Sequence, residues 1–192
     1  MTTATTTESD QPSQTQPRFA AHTPVTATGR AREALTRLWE RHGDNVGMMA
    51  RTMAASPSVL EGYLDLSRAM KRTTLPRSLS EQISLSIQQH IDCDLCLAAH
   101  TAAARAAGLS EDEIALARAG TASNPSAAAL IAYANQVHRA PATVTGEQID
   151  ELRRLGHSDR QLLDVVGLVA LNHLTGAFNL VAGLYPEQDI AS

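Results

Sequence analysis

The stretch EQISLSIQQHIDCDLCLAAH, residues 81–100, holds both cysteines of the 192-residue chain between a glutamate and a histidine. Ile83, Leu85, Ile87 and Ile91 recur at helical spacing, and Leu95 continues the stripe past the first cysteine. The spacing therefore predicts helix on both sides of the Cys-x-x-Cys. At about 100° per residue, a helix beginning near Cys93 carries Cys93, Cys96 and His100 on one face. Asp92 is the expected N-cap, which puts Cys93 at the first helical position, where free amides and the helix dipole favour thiolate over thiol. A thiolate attacks peroxides and disulfides, and a second thiol three residues on can close the product into a disulfide. Spacing and charge state thus favour redox chemistry.

Glu81 joins this group only under one condition. In a single straight helix it lies about 18 Å from Cys93 and about 120° around the axis, out of reach. If the chain reverses near Ile91 and Asp92, two helices run side by side and Glu81 returns to the level of His100. No Gly or Pro marks a reversal there, and Asp92 and Asp94 are its only local support. On the residues alone both arrangements stand.

Outward from this segment the chain reads all-α, as eight or nine helices. GRAREALTRLWERHG gathers Ala31, Leu35, Leu38 and Trp39 on one face and stops at Gly43. Ser56 before Pro57 opens a helix through Leu60, Tyr63, Leu64 and Leu66, and Ser78 or Ser80 is the expected cap of the helix containing Glu81. Gly108 ends HTAAARAAG, and Ser110 with Glu113 forms an expected capping box. Asn124-Pro125, Thr145 and Ser158 open three further helices, the last running to Gly183. Its sequence, DVVGLVALNHLTGAFNLVAGL, is apolar nearly all round, as expected of a helix central to a bundle or buried between subunits. Asn172, His173 and Asn179 interrupt it as a membrane span. They read instead as interhelical hydrogen-bonding groups of the core. Trp39 and Tyr63 read as packing residues, and His90 is given no specific role.

Composition narrows the function. Sixteen Lys and Arg against twenty Asp and Glu give a formal charge of −4, without the basic stripe that neutralises phosphates, so nucleic acid is not an expected partner. Residues 1–25, rich in Thr, Ser, Gln and Pro, are expected to be a disordered tail with neither a basic n-region nor an apolar h-region. Residues 26–192 are expected to form a single domain. A soluble cytoplasmic protein without a membrane partner follows as the expectation. Two cysteines at this spacing are not the scattered framework of a secreted scaffold. With two Phe, three Tyr and one Trp, the core is left to aliphatic side chains, Met and Ala, and a subunit contact would add burial.

Glu81, Cys93, Cys96 and His100, at that spacing, resemble the active-site signature of the AhpD-like alkylhydroperoxidases within the carboxymuconolactone decarboxylase family. SPSVLEGYLDLSRAM before the signature and HTAAARAAGLSEDEI after it also resemble family segments, so the core of the likeness covers about residues 45–120. The later NHLTGAFNLVAGL resembles the family's last helices more loosely. The resemblance implies an AhpD-like helical bundle, a homo-oligomer (trimer or hexamer), and reduction of hydroperoxides. It also implies the chain reversal that the local sequence only permits. By the same resemblance Cys96 is the peroxidatic thiol, Cys93 the resolving one, and Glu81 with His100 the proton relay. The implied reductant is an external dithiol, lipoyl or thioredoxin-like, and no cofactor or metal is implied. The helix-terminus argument instead makes Cys93 the more acidic and exposed thiol; the two agree if Cys93 faces the reductant while Cys96 lies deeper beside Glu81.

Two departures from the family pattern are visible. Leu95 stands where some relatives carry a histidine or tyrosine, and the turn reads HIDCD without the small Asn or Gly often found there. Two other functional classes compete. Cys93, Cys96, His100 and Glu81 could together ligate zinc as a structural Cys2HisGlu site. The lactone decarboxylase of the family name is a lyase that needs no redox cysteines. Against all of these, the cysteines could be ordinary buried residues, Glu81 a solvated helix residue and His100 a satisfied core histidine.

Overall fold

Nine α-helices and no strand occur in the computed structural model, which describes residues 17–186. They are α1 (Gly29–His42), α2 (Met48–Met53), α3 (Pro57–Met70), α4 (Arg77–Ile91), α5 (Asp94–Ala106), α6 (Glu111–Arg118), α7 (Pro125–Arg139), α8 (Gly146–Arg154) and α9 (Asp159–Ala182). Residues 1–16 of the expected tail and 187–192 of the expected domain lie outside the described residues. Residues 17–28 run irregularly back over the bundle, where Arg18 donates from Nη1 to the Leu180 and Val181 carbonyls at 2.9 and 3.1 Å and so satisfies the last turn of α9.

Local chemistry accounts for most boundaries. Ser110, Thr145 and Ser158 each accept from a backbone amide three residues on while Glu113, Gln148 and Gln161 reach back, closing three capping boxes. Asn124 caps α7 through Ala127 N at 3.1 Å, with Pro125 following as the first helical residue. Helix α4 corrects one expectation, because it begins at Arg77 behind Pro76 rather than at a Ser78 or Ser80 cap. The proline ring holds φ at −53° with ψ at 141°, so the chain enters the helix at once without a side-chain cap.

Helix α4 is the hub, packed against α5, α6, α7 and α9 and buried at every position from Gln82 to Gln88. Ile83 and Ile87 join Leu130, Ile131, Leu162, Val165 and Val169 in the largest apolar cluster, while Leu85 packs with Leu97, Ala104 and Ile114 on another side. A third cluster, from Ala31, Leu35, Met53 and Leu60, ties α1, α2 and α3 together. Full burial of each aliphatic side chain is worth about 1.5–3 kcal/mol. Among the buried polar residues of α4, Ser86 Oγ donates to Asn135 Oδ1 at 2.9 Å and Gln88 Nε2 donates to Asn172 Oδ1 at 2.9 Å, while Gln88 Oε1 is left without a partner. Asn172 Nδ2 in turn donates to Ser84 Oγ at 3.0 Å, so α9 is clamped to α4 by a chain of side-chain bonds.

Helix α9 is long and apolar enough to cross a bilayer by length and composition alone, with a mean hydropathy of 1.6 in its most apolar window. It packs on α3, α4, α5 and α7 and buries Asn172 against α4 and Asn179 against α5, the behaviour of a core helix. Its outer face leaves Leu163, Val166 and Val181 exposed.

Candidate functional site

The chain does reverse at Asp92. This exposed residue takes φ 64° and ψ 42°, the sole non-glycine with positive φ among the described residues, and it ends α4 in the left-handed region. Aspartate and asparagine tolerate that region better than other side-chain-bearing residues, so Asp92 occupies the role the sequence left without an Asn or Gly. Asp92 is therefore the C-terminal residue of α4 and not the N-cap of α5. That cap is Cys93 itself, whose Sγ accepts from Cys96 N at 3.3 Å. Asp94 takes the first helical position expected for Cys93. The sulfur thus meets the free amides of the first turn by capping them.

Reversal lays α5 beside α4 and brings the two ends of the opening motif together. Glu81 Oε2 and His100 Nδ1 stand 2.8 Å apart, with the two side chains 14% and 29% exposed, so the pair is screened from solvent yet open on one side. Arg77 Nη2 lies 3.8 Å from the other carboxylate oxygen. An ionised Glu81 accepts the Nδ1 proton, which leaves Nε2 of a neutral His100 as the ring's acceptor. The carboxylate thereby fixes the tautomer in which the imidazole can take up a proton.

Cys93 and Cys96 form a disulfide, with Cα atoms 5.3 Å apart. Cys93 is 1% exposed and Cys96 5%, which corrects the expectation that Cys93 is the exposed member. As the cap residue Cys93 tucks beneath the first turn, whereas Cys96, one turn further, reaches the wall of a cavity of about 1630 Å³. Glu81 and His100 line the same cavity, as do Leu95 and Tyr63. Tyr63 was expected only to pack; it does both, because α3 forms one side of the cavity. Its phenol is held above the ordinary range by burial, with an opposing hydrogen bond from Ser67.

Asn179 was missed as a site residue. It is 3% exposed on α9 and donates from Nδ2 to Cys96 Sγ at 3.3 Å. The available signal was a buried amide in an otherwise apolar helix, which obliges a partner, but the partner's identity depends on how α9 crosses α5. His90 lies outside the site: its Nδ1 contacts the Ser86 carbonyl at 2.8 Å, and its ring is 6.3 Å from that of His138, itself 5.6 Å from His173. His173 is exposed on α9 and is not the core hydrogen-bonding group expected. The disulfide occupies both sulfurs that the zinc arrangement requires. Among the described residues no three His, Cys, Asp or Glu side chains converge to hold a metal ion.

Residues 57–138 match the model of the carboxymuconolactone decarboxylase family. Among solved structures, the chain is similar to an uncharacterized peroxidase-related protein with an alkylhydroperoxidase AhpD core from Ralstonia eutropha JMP134. That likeness has a TM-score of 0.76 and 20% identity over 90% of this chain and 93% of that one. An uncharacterized peroxidase-related protein from Silicibacter sp. TM1040 gives 0.71 and 16%, covering 88% and 92%. A protein of unknown function from Agrobacterium tumefaciens gives 0.63 and 19%, covering 71% and 96%. No curated protein matches significantly in sequence. Residues 57–138 thus carry the carboxymuconolactone decarboxylase family pattern, and the all-helical fold of the chain is that of the AhpD-core structures.

Proposed function

We propose that the protein is a thiol-dependent peroxidase that reduces hydroperoxides by a Cys93–Cys96 thiol/disulfide cycle. The observation that carries this reading is the Cys96 sulfur on the wall of a cavity shared with the hydrogen-bonded Glu81–His100 pair. In the reduced protein His100, oriented by Glu81, takes the proton from Cys96. The thiolate attacks the terminal oxygen of a hydroperoxide: an S–O bond forms, the O–O bond breaks, and the departing alkoxide takes a proton to leave as alcohol. Cys96 is then a sulfenic acid. Cys93 attacks its sulfur, water leaves, and the disulfide is formed. Two electrons and two protons from an external dithiol, of lipoyl or thioredoxin type, restore both thiols.

A cavity of this size accommodates organic hydroperoxides, and Leu95, Met70 and Leu171 give its wall an apolar character suited to them. The homo-oligomer belongs to the same proposal, and the exposed Leu163, Val166 and Val181 of α9 are apolar side chains that such an assembly would cover. The test is peroxide consumption with a panel of dithiol donors, on wild type and on Cys96→Ser. Dithiol-dependent turnover in the wild type, abolished in the variant, is expected. Absence of turnover with every donor would overturn the reading.

A further inference from the structure

Helix α9 carries two buried asparagines with opposite hydrogen-bond accounts. Asn172 is satisfied inside the core, donating to Ser84 Oγ at 3.0 Å and the Leu168 carbonyl at 2.9 Å while accepting from Gln88 Nε2 at 2.9 Å. Asn179 spends its Nδ2 on the Cys96 sulfur at 3.3 Å, and its Oδ1 is buried without a partner. Both Asn179 and Cys96 line the cavity. Gln88 Oε1 is also buried without a partner, but Gln88 does not line the cavity, whereas the orphaned oxygen of Asn179 belongs to a residue of the cavity wall that already bonds the Cys96 sulfur.

We infer that Asn179 is a catalytic residue whose Nδ2 stabilises the Cys96 thiolate and whose Oδ1 accepts the O–H of the incoming hydroperoxide. The inference rests on reading Cys96 as the attacked thiol. In the structure the amino side of the amide donates to the disulfide sulfur; in the reduced protein the same donor meets a thiolate, which only accepts, and an N–H bond to that charged form lowers a pKa that burial would otherwise raise. The carbonyl side is then left for the substrate. In a hydroperoxide the terminal oxygen both carries the hydrogen and receives the sulfur. Holding that hydrogen from the side leaves the O–O axis open to Sγ. The hydrogen stays with the transferred oxygen when the S–O bond forms and the O–O bond breaks, so the same carbonyl holds the sulfenic acid O–H afterwards. The electron pair of the O–O bond departs on the alkoxide, which is protonated from His100.

The full-length reduced protein tests both halves. Alkylation of Cys96 by iodoacetamide across pH, with each cysteine's peptide read separately by mass spectrometry, reports the Cys96 thiol pKa without any peroxide. Asn179→Leu should raise that pKa by about one unit, a tenfold loss of thiolate below it. Asn179→Asp, which keeps the shape but adds a repelling carboxylate, should raise it at least as much. At a pH where Cys96 is fully ionised, oxidation by cumene hydroperoxide should remain about tenfold slower in Asn179→Leu, yet within about threefold of wild type in Asn179→Asp, which keeps the acceptor. A Cys96 titration unchanged in Asn179→Leu overturns the donor role, and Asn179→Ala, which removes the amide without adding charge or bulk, carries this test if Asn179→Leu does not fold. Equal loss of the high-pH rate in both variants, or no loss in Asn179→Leu, overturns the acceptor role. Failure of wild type to react with peroxide would instead sink the peroxidase reading while leaving the titration to decide on the donor.

Discussion

Replacing Gly176 by alanine should loosen the contact between α9 and α4 that holds the site's two halves together. A Cβ at Gly176 would stand 2.7 Å from Gln88 Oε1 and 2.8 Å from Ile91 Cγ2, closer than real Cβ atoms approach. Neither neighbour yields readily. Gln88 is fully buried with its amide committed to Asn172, and Cγ2 of Ile91 sits on a β-branched carbon that is stiff in a helix. Overpacking of this kind costs about 1–3 kcal/mol, against roughly 1 kcal/mol regained by removing a helical glycine, leaving a net destabilisation of up to about 2 kcal/mol. In a chain of this size that lowers Tm by up to about 8 °C. Gly167→Ala is the control: its Cβ would meet Met70 Sδ at 2.8 Å and Cε at 3.0 Å, the far end of a flexible side chain that can turn aside. Its Tm should equal or exceed that of wild type. Thermal unfolding followed by far-UV circular dichroism on both variants decides the matter. Gly176→Ala melting at or above Gly167→Ala would refute the packing argument.

Three further predictions follow from the same geometry. Asp92→Val forces a β-branched residue into the left-handed region and should cost about 1–3 kcal/mol, whereas Asp92→Gly should change stability by less than about 1 kcal/mol; urea unfolding measures both. Glu81→Gln removes the carboxylate that orients His100 while keeping its shape, and should slow single-turnover oxidation of the reduced protein by about 10²-fold or more, read by stopped-flow. Burial first, and then the neighbouring His173, His90 and Arg139, hold the His138 pKa below its ordinary value of 6.5. The folded state therefore resists a proton that the unfolded chain accepts. The neutral ring costs nothing above the unfolded pKa, and stability falls as pH drops below 6.5 towards the lower folded value. His138→Gln should lessen the decline in Tm between neutral pH and about pH 5.

Much of this arrangement was legible because it is local. The capping box at Ser110, the helix starts at Thr145 and Ser158 and the stops at Gly43, Gly108 and Gly183 are written in short-range chemistry, and the structure returns them at those positions. The reversal at Asp92 was only half legible, since one aspartate in the left-handed region ends a helix without the Gly or Pro that announces such an end. Assigning Asp92 to the wrong helix then displaced Cys93 by one position and made it seem exposed. The burial of α4 was hidden for another reason: Ser84, Ser86 and Gln88 read as solvent-facing polar positions until Asn135 and Asn172, some fifty and eighty-five residues on, arrive as partners. Asn179 was hidden likewise. Its contact with Cys96 spans 83 residues and depends on the crossing of α5 and α9.

The central claim is that Cys96, on the cavity wall beside Glu81 and His100, is the sulfur that meets the peroxide. The most direct measurement is to treat reduced Cys93→Ser and Cys96→Ser with one equivalent of cumene hydroperoxide in the presence of dimedone and to locate the adduct by mass spectrometry. The account predicts a sulfenic acid adduct on Cys96 of Cys93→Ser and none in Cys96→Ser. An adduct confined to Cys93 of Cys96→Ser would contradict it.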